Sequence, residues 1–306
     1  MHAISVHALY MNYGPVRAVD GISFDVGAGE IFALLGPNGA GKTTTIEILE
    51  GYRKRTAGDV TILGVDPERG GRRYRERIGI MLQAGGIDAD MTVLDTVRLY
   101  AGFYRRPRPV EATITMVGLD EHRKARIRAL SGGLQRRLDL CLALIGDPEI
   151  IFLDEPTTGF DPTARRAAWT MVAGLRDLGK TVLLTSHYMD EVEHLADRVA
   201  VMRHGVIVAE ATPRQLGGRD TAEALISFRT PYAGWRDEIP AGPWTAPEDA
   251  DDLVELRTGQ PTQALLLLAS WAVEHGIELE GLTVTRPTLE EAYLSITARP
   301  EQAGPR

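Results

Sequence analysis

The 306-residue chain contains one cysteine, Cys141, so no intramolecular disulfide can form. This residue falls among Leu140, Leu142, Ala143 and Leu144, the setting of a buried structural thiol, not a reactive one. Long apolar runs are missing too. No stretch approaches the ~20 residues needed to span a bilayer, and the N-terminus lacks a basic stretch followed by an apolar core. A soluble, cytosolic chain is expected. Basic charge is not in excess: 34 Lys and Arg against 42 Asp and Glu give a formal net charge of −8, which argues against non-specific affinity for nucleic acid. The length, with 44% hydrophobic residues, allows one large core and a smaller second domain.

What is present is concentrated between Gly36 and Thr44, which read Gly36, Pro37, Asn38, Gly39, Ala40, Gly41, Lys42, Thr43, Thr44. This segment follows the apolar run Ile31 to Leu35 and precedes a helix-like stretch from Thr45 to Glu50 that ends at Gly51. A strand feeding a glycine-rich loop that opens a helix aims backbone N–H groups and the positive end of the helix dipole at one point, and polyphosphate suits that point. Lys42 reaches the β- and γ-phosphates in this reading, and the Thr43 hydroxyl takes one Mg²⁺ position.

Elsewhere, Ile22 to Val26 and Val60 to Leu63 alternate enough to read as strands of a partly exposed antiparallel sheet. Continuous apolar runs at Ile31 to Leu35, Ile78 to Leu82, Ile150 to Leu153 and Thr181 to Thr185 read as buried parallel strands. Val199 to Met202 and Val206 to Ala209, split by Arg203, His204 and Gly205, form an expected hairpin at the sheet edge. From Ala84 to Gly146 the pattern is helical, with helices at Val93 to Tyr104, Val110 to Met116 and Ser131 to Ile145, the last capped by Ser131. After Pro213, Gly217 and Gly218 a small α+β domain begins. It has strands at Ala224 to Arg229, Leu253 to Arg257 and Ile277 to Thr285, and a helix starting near Pro261 and ending at Gly276. Thr288 to Glu291 is a capping box opening a helix to about Thr297. Pro231 to Asp252 reads as a loop and Pro300 to Arg306 as a tail.

Two further segments bear on chemistry. Ile150 to Leu153 delivers Asp154 and Glu155 at a strand's C-terminal end, where ligands bind in open α/β sheets. Asp154 is suited to hold Mg²⁺ through water, and Glu155 to polarise an attacking water at the γ-phosphate. Leu130, Ser131, Gly132 and Gly133 open a helix and make a second anion-binding helix terminus.

The phosphate loop and the Leu130 to Gly133 segment together resemble the ATP-binding-cassette family across roughly residues 3 to 215. The resemblance implies an α/β fold of the P-loop NTPase type, with a parallel core sheet, an antiparallel β subdomain and a helical insert at about 84–146. The cassette is set at 1–215, an accessory α+β domain at 216–300 and a tail at 301–306. The resemblance also implies ATP and Mg²⁺ as cofactors, and a head-to-tail dimer in which each ATP lies between one copy's phosphate loop and the other's Ser131, Gly132 and Gly133. Tyr13 then stacks on adenine, Gln83 contacts Mg²⁺ and water, Asp161 lies in the loop crossing the interface, and His187 is the switch histidine at the γ-phosphate. His194 and His204 have no such company and read as surface residues. Leu134 stands where the family usually has glutamine, with Gln135 following, and Phe160 stands where it usually has leucine.

Leu282 to Thr297 resembles the closing segment of cassette subunits of ABC-2-type, drug-resistance-like exporters. Without a span of its own, the chain then needs a separate permease, two copies with two, at the cytoplasmic face of the membrane. The helical insert is where the family receives the permease. Here it carries Arg105, Arg106, Arg108, Arg123, Lys124, Arg126, Arg128, Arg136 and Arg137, a face that also suits anionic headgroups. An importer ATPase shares every catalytic residue. A soluble cassette machine is disfavoured by the single cassette, the single cysteine and the negative charge.

Overall fold

The computed structural model describes residues 2–81, 88–230, 239–245 and 253–298. The expected loop at 231–252 lies mostly outside these residues, and the tail lies wholly outside them. The chain divides into two compact units, Met1–Pro213 and Arg214–Arg306.

The first unit is built on a six-stranded sheet of β3 (Ile31–Leu35), β5 (Ile78–Met81), β6 (Ile150–Asp154), β7 (Thr181–Ser186), β8 (Arg198–Arg203) and β9 (Val206–Ala211). Their order across the sheet is β5-β6-β7-β3-β8-β9, parallel throughout except for β9, which closes the edge antiparallel to β8. Every residue of β3, β6 and β7 is buried, because these inner strands of a parallel sheet are covered on both faces. The hairpin at the edge turns at His204 and Gly205, both with positive φ.

A three-stranded antiparallel sheet, β2-β1-β4, comprises β1 (His2–Tyr13), β2 (Val16–Gly27) and β4 (Ala57–Ile62). The sequence pattern does not announce β1, because its register shifts between Val6 and Leu9, where Ala8 has a φ of 45°, and the bulge interrupts the alternation. Strand β4 stops at Ile62 because Leu63 turns left-handed. Phe24 of β2 stacks on Phe32 of β3 with ring centroids 5.3 Å apart, joining the two sheets in one core.

Three helices fill the insert: α3 (Val93–Ala101), α4 (Val110–Met116) and α5 (Gly132–Leu144); α3 ends at Gly102, short of the expected Tyr104. Cys141 is buried in α5, and burial pushes its thiol up to about 12. Part of the insert's basic charge is offset locally. Arg108 pairs with Asp147, Arg123 with Asp120, Arg126 and Arg128 with Asp90, and Arg136 with Asp139.

In the second unit β10 (Ala224–Arg229), β11 (Leu253–Thr258) and β12 (Glu280–Thr285) form an antiparallel sheet ordered β11-β10-β12. Ile226, Phe228, Val254 and Leu256 pack on Ala264, Leu268, Trp271 and Ala272 of α8 (Pro261–His275). Gly276 ends that helix at a φ of 63°. The last strand begins at Glu280, not Ile277, whose N–H is taken by the Ala272 carbonyl in the helix C-cap. The capping box forms as expected: Glu291 accepts from the Thr288 N–H at 2.8 Å, and Thr288 accepts from the Glu291 N–H at 3.1 Å, opening α9 (Leu289–Ala298).

Candidate nucleotide site

Between β3 and α1 (Lys42–Leu49) the chain passes close to neighbouring backbone at two glycines. A Cβ on Gly36 would stand 2.3 Å from the Met202 carbonyl oxygen. Gly41, at a φ of 102°, passes the Ala18 carbonyl just as closely, at 2.4 Å for a Cβ. No side chain caps α1, whereas Thr92, Ser131 and Asp161 cap their helices, so the first-turn N–H groups of α1 are left for a ligand. Pro37, Asn38 and Gly39 form the exposed rim of the loop, Thr44 lies half-buried behind it, and Ala40 is buried, its carbonyl accepting from Gly205.

Lys42 is buried, its ammonium donating to the carbonyls of Gly36 at 2.8 Å and Pro37 at 3.2 Å. Burial pulls its pKa down, against the raising charges of Glu155 and Asp154. Its Nζ lies 3.7 Å from Glu155 Oε1, and His187 Nδ1 lies 3.3 Å from the same oxygen. That histidine nitrogen is buried without an aligned hydrogen bond, and the ring packs on Tyr188 at 4.0 Å between centroids. Glu155 itself adopts a left-handed φ of 47°. For a non-glycine residue this costs about 1–2 kcal/mol, strain of the kind found at functional turns.

Asp154 stands beside the loop, with Thr43 donating to its carboxylate at 3.3 Å and Thr185 donating to Oδ1. Burial raises its pKa, opposed by those hydroxyls and by Lys42 and reinforced by the Glu155 charge. Among the described residues no three His, Cys, Asp or Glu side chains form a metal cluster. One hydroxyl and one carboxylate are a hard-oxygen donor set that phosphate oxygens and water must complete.

The site also uses residues that the sequence reading did not name. Thr185 holds Asp154 and also accepts the Glu155 N–H at 3.0 Å, fixing both carboxylates. A hydroxyl ending a buried Val-Leu-Leu run was the available signal. Glu50, at the C-terminus of α1, is buried near Asp154, and burial with the Asp154 and Glu47 charges pushes it up to about 8.

Ser131, Gly132 and Gly133 lie elsewhere, in a cleft of about 690 Å³ shared with Thr158, Gly159 and Asp161. No residue of the phosphate loop lines it. Ser131 accepts from Leu134 N–H at 3.4 Å, and Asp161 Oδ1 accepts from Thr163 and Ala164 at 2.9 Å each, so both are helix caps within the single chain. Tyr13 ends β1, 40% exposed, with the Arg53 guanidinium 5.1 Å from its ring centroid. Gln83 lies outside the described residues.

Residues 19–158 match the ABC transporter family model, and residues 224–288 match the C-terminal domain of ABC transporter domain-containing protein-like chains. The Nod factor export ATP-binding protein I of Rhizobium meliloti (strain 1021) is 42% identical over 307 residues, covering 97% of this chain and 88% of that protein. The daunorubicin/doxorubicin resistance ATP-binding protein DrrA of Streptomyces peucetius is 33% identical over 320 residues, covering 97% and 93%. Among solved structures, a nucleotide-free ATP-binding cassette from an ABC transporter superposes with a TM-score of 0.62 at 27% identity, covering 69% of this chain and 92% of that one. With its phosphate loop, paired carboxylates and near-full-length likeness to such subunits, the chain belongs to the ABC transporter family as an ATP-binding, ATP-hydrolysing subunit.

Proposed function

We propose that this ATPase drives an exporter by closing on a second copy of itself, each ATP being held between Gly36–Thr44 of one copy and Ser131, Gly132 and Gly133 of the other. The observation that carries this reading is the division of the site. Lys42, Asp154, Glu155 and His187 gather at the phosphate loop, whereas Ser131 to Gly133 share a cleft with Asp161 that contains none of it. Two half-sites on one chain become whole when two chains face each other. The export direction is supported by the two relatives, named for Nod factor export and for daunorubicin/doxorubicin resistance.

In this reading Lys42 is the point charge that draws the β- and γ-phosphates. Thr43 and Asp154, with Gln83, hold Mg²⁺, which supplies neutralisation of phosphate charge. Glu155 takes the proton of the attacking water, and His187, beside it, donates to a γ-phosphate oxygen. Tyr13 offers its ring to adenine. A separate permease carries the cargo, as the likeness to exporter ATP-binding proteins supports, and the chain works at the cytoplasmic face of the membrane through it.

The test is Glu155→Gln in the full-length chain. It is expected to retain ATP binding, slow hydrolysis by about 10²–10⁴, and accumulate a nucleotide-locked dimer by sedimentation. A variant that turns over at the wild-type rate removes Glu155 from the role, and one that stays monomeric in saturating ATP removes the dimer.

A further inference from the structure

Glu191, on the short helix α7 (Met189–Leu195), is a fully buried charged residue that the phosphate site does not use. Its Oε1 accepts from the Thr157 hydroxyl at 2.8 Å and from the Trp169 indole N–H at 3.3 Å. Its Oε2 is buried without a hydrogen-bond partner. Arg165, one turn before Trp169 on α6 (Pro162–Asp177), has a buried Nε that also lacks one, and its guanidinium lies over the Tyr188 ring, 4.3 Å from the centroid. Burial raises the Glu191 carboxyl, opposed by the side chains of Ser186, Thr157 and Trp169 and by the Arg165 charge.

A carboxylate in such a place is costly, and an apolar side chain of the same volume fills a core at least as well. The segments it joins account for its presence. Thr157 is two residues beyond Glu155. Trp169 and Arg165 belong to the helix that Asp161 caps. Ser186 and Tyr188 flank His187, and Ser186 Oγ accepts the Tyr188 N–H at 2.9 Å. One buried group on α7, the helix that directly follows the His187 turn, therefore ties that turn to the segments that present Glu155 and Asp161.

We infer that Glu191 is a positioning residue that holds the Glu155 exit, the Asp161 helix and the His187 turn in one register, so that closure against a second copy moves the hydrolytic groups as a unit. The inference rests on the clamped-dimer reading above. A carboxylate suits the task because one oxygen collects donors from two elements while the other remains open to a third, and Arg165 on the same helix has a donor unused.

Glu191→Leu removes the acceptor at similar volume, and Glu191→Gln keeps one. In the full-length chain Glu191→Leu is expected to lower kcat at least about tenfold while the Kd for ATP changes less than about threefold. Combined with Glu155→Gln it is expected to abolish the ATP-locked dimer, whereas Glu191→Gln keeps roughly a third or more of wild-type kcat. A merely structural role predicts instead that binding, melting temperature and kcat fall together. Should Glu191→Leu not fold, Thr157→Val removes the shorter hydrogen bond without touching the carboxylate and carries the same expectation. Wild-type kcat in either folded variant overturns the inference, as does a Glu191→Gln chain as slow as Glu191→Leu, or a parallel loss of binding and turnover. Glu155→Gln alone is the control for the parent reading: if that chain is monomeric with ATP the clamped dimer fails, whereas a dimer that only the Glu191→Leu change dissolves supports the role of Glu191.

Discussion

Lys42 occupies an unusual place for an ammonium, buried and tied to two backbone carbonyls of its own loop. Those bonds preorganise the charge where the loop's N–H groups converge, so Lys42→Ala is expected to weaken ATP binding by at least about tenfold, the order of a lost charge-assisted contact. Unchanged affinity in an ATP titration contradicts the cradle assignment. Glu50 makes a pH prediction. Its folded-state value of about 8 lies above the ordinary 4.5, so between those pH values the folded chain retains a proton that the unfolded chain has released. Its contribution is complete below 4.5 and is lost as pH rises toward 8. Glu50→Gln is therefore expected to flatten the decline, by at most about 1.4 kcal/mol per pH unit in that window. Urea midpoints of the nucleotide-free chain at pH 5 and pH 8 check it, and parallel shifts in both proteins dismiss it.

At the scale of elements, the three helix N-termini of the proposed site differ in what they leave open. Helix α1 has no side-chain cap and offers its N–H groups, while α5 and α6 are closed in the single chain by Ser131 and Asp161. Ser131→Arg, at an exposed cap, is expected to cost roughly 0.5–2 kcal/mol of stability. It should leave ATP binding to the single chain intact and prevent the Glu155→Gln dimer, which sedimentation reads directly. A dimer that forms normally argues against Ser131 at the interface. The strand, glycine loop and helix at Ile31 to Leu49 were legible because each constraint there is local: an apolar run, glycines and a following helix. The first strand was not, because the bulge at Ala8 breaks its period, and β4 was legible only in its second half, since Gly58 at a φ of 95° lies against the Ala8 carbonyl.

On the scale of the whole molecule, the proposed reading gives the chain two half-sites, and no helix among the described residues is long and apolar enough to cross a membrane. In that reading the ATPase acts through a second copy and a separate polytopic protein. Gentle-detergent purification is expected to recover the chain with such a protein in equal amounts. Recovery instead with ribosomes or DNA sinks the transport reading, and membrane recruitment in cells lacking any permease moves the attraction to lipid. The pairing of Arg108, Arg123, Arg126, Arg128 and Arg136 with four nearby carboxylates weakens the lipid alternative, since those charges are partly balanced locally.

The sequence by itself determined the chemistry on offer. Residues Gly36 to Thr44, Asp154 and Glu155, and Ser131 to Gly133 each owe their character to neighbours within a few positions, so local spacing suffices to read them. Tertiary structure decided which of these meet. Parallel pairing of β6 with β7 brings Thr185 onto both carboxylates, and pairing of β7 with β3 sets the His187 turn beside the phosphate loop. The same folding buries Glu50 and Glu191, whose carboxyl pKa values are raised by a loss of water that no stretch of sequence displays. It also keeps Ser131 to Gly133 in a cleft without the phosphate loop, a separation set by contacts between residues distant along the chain.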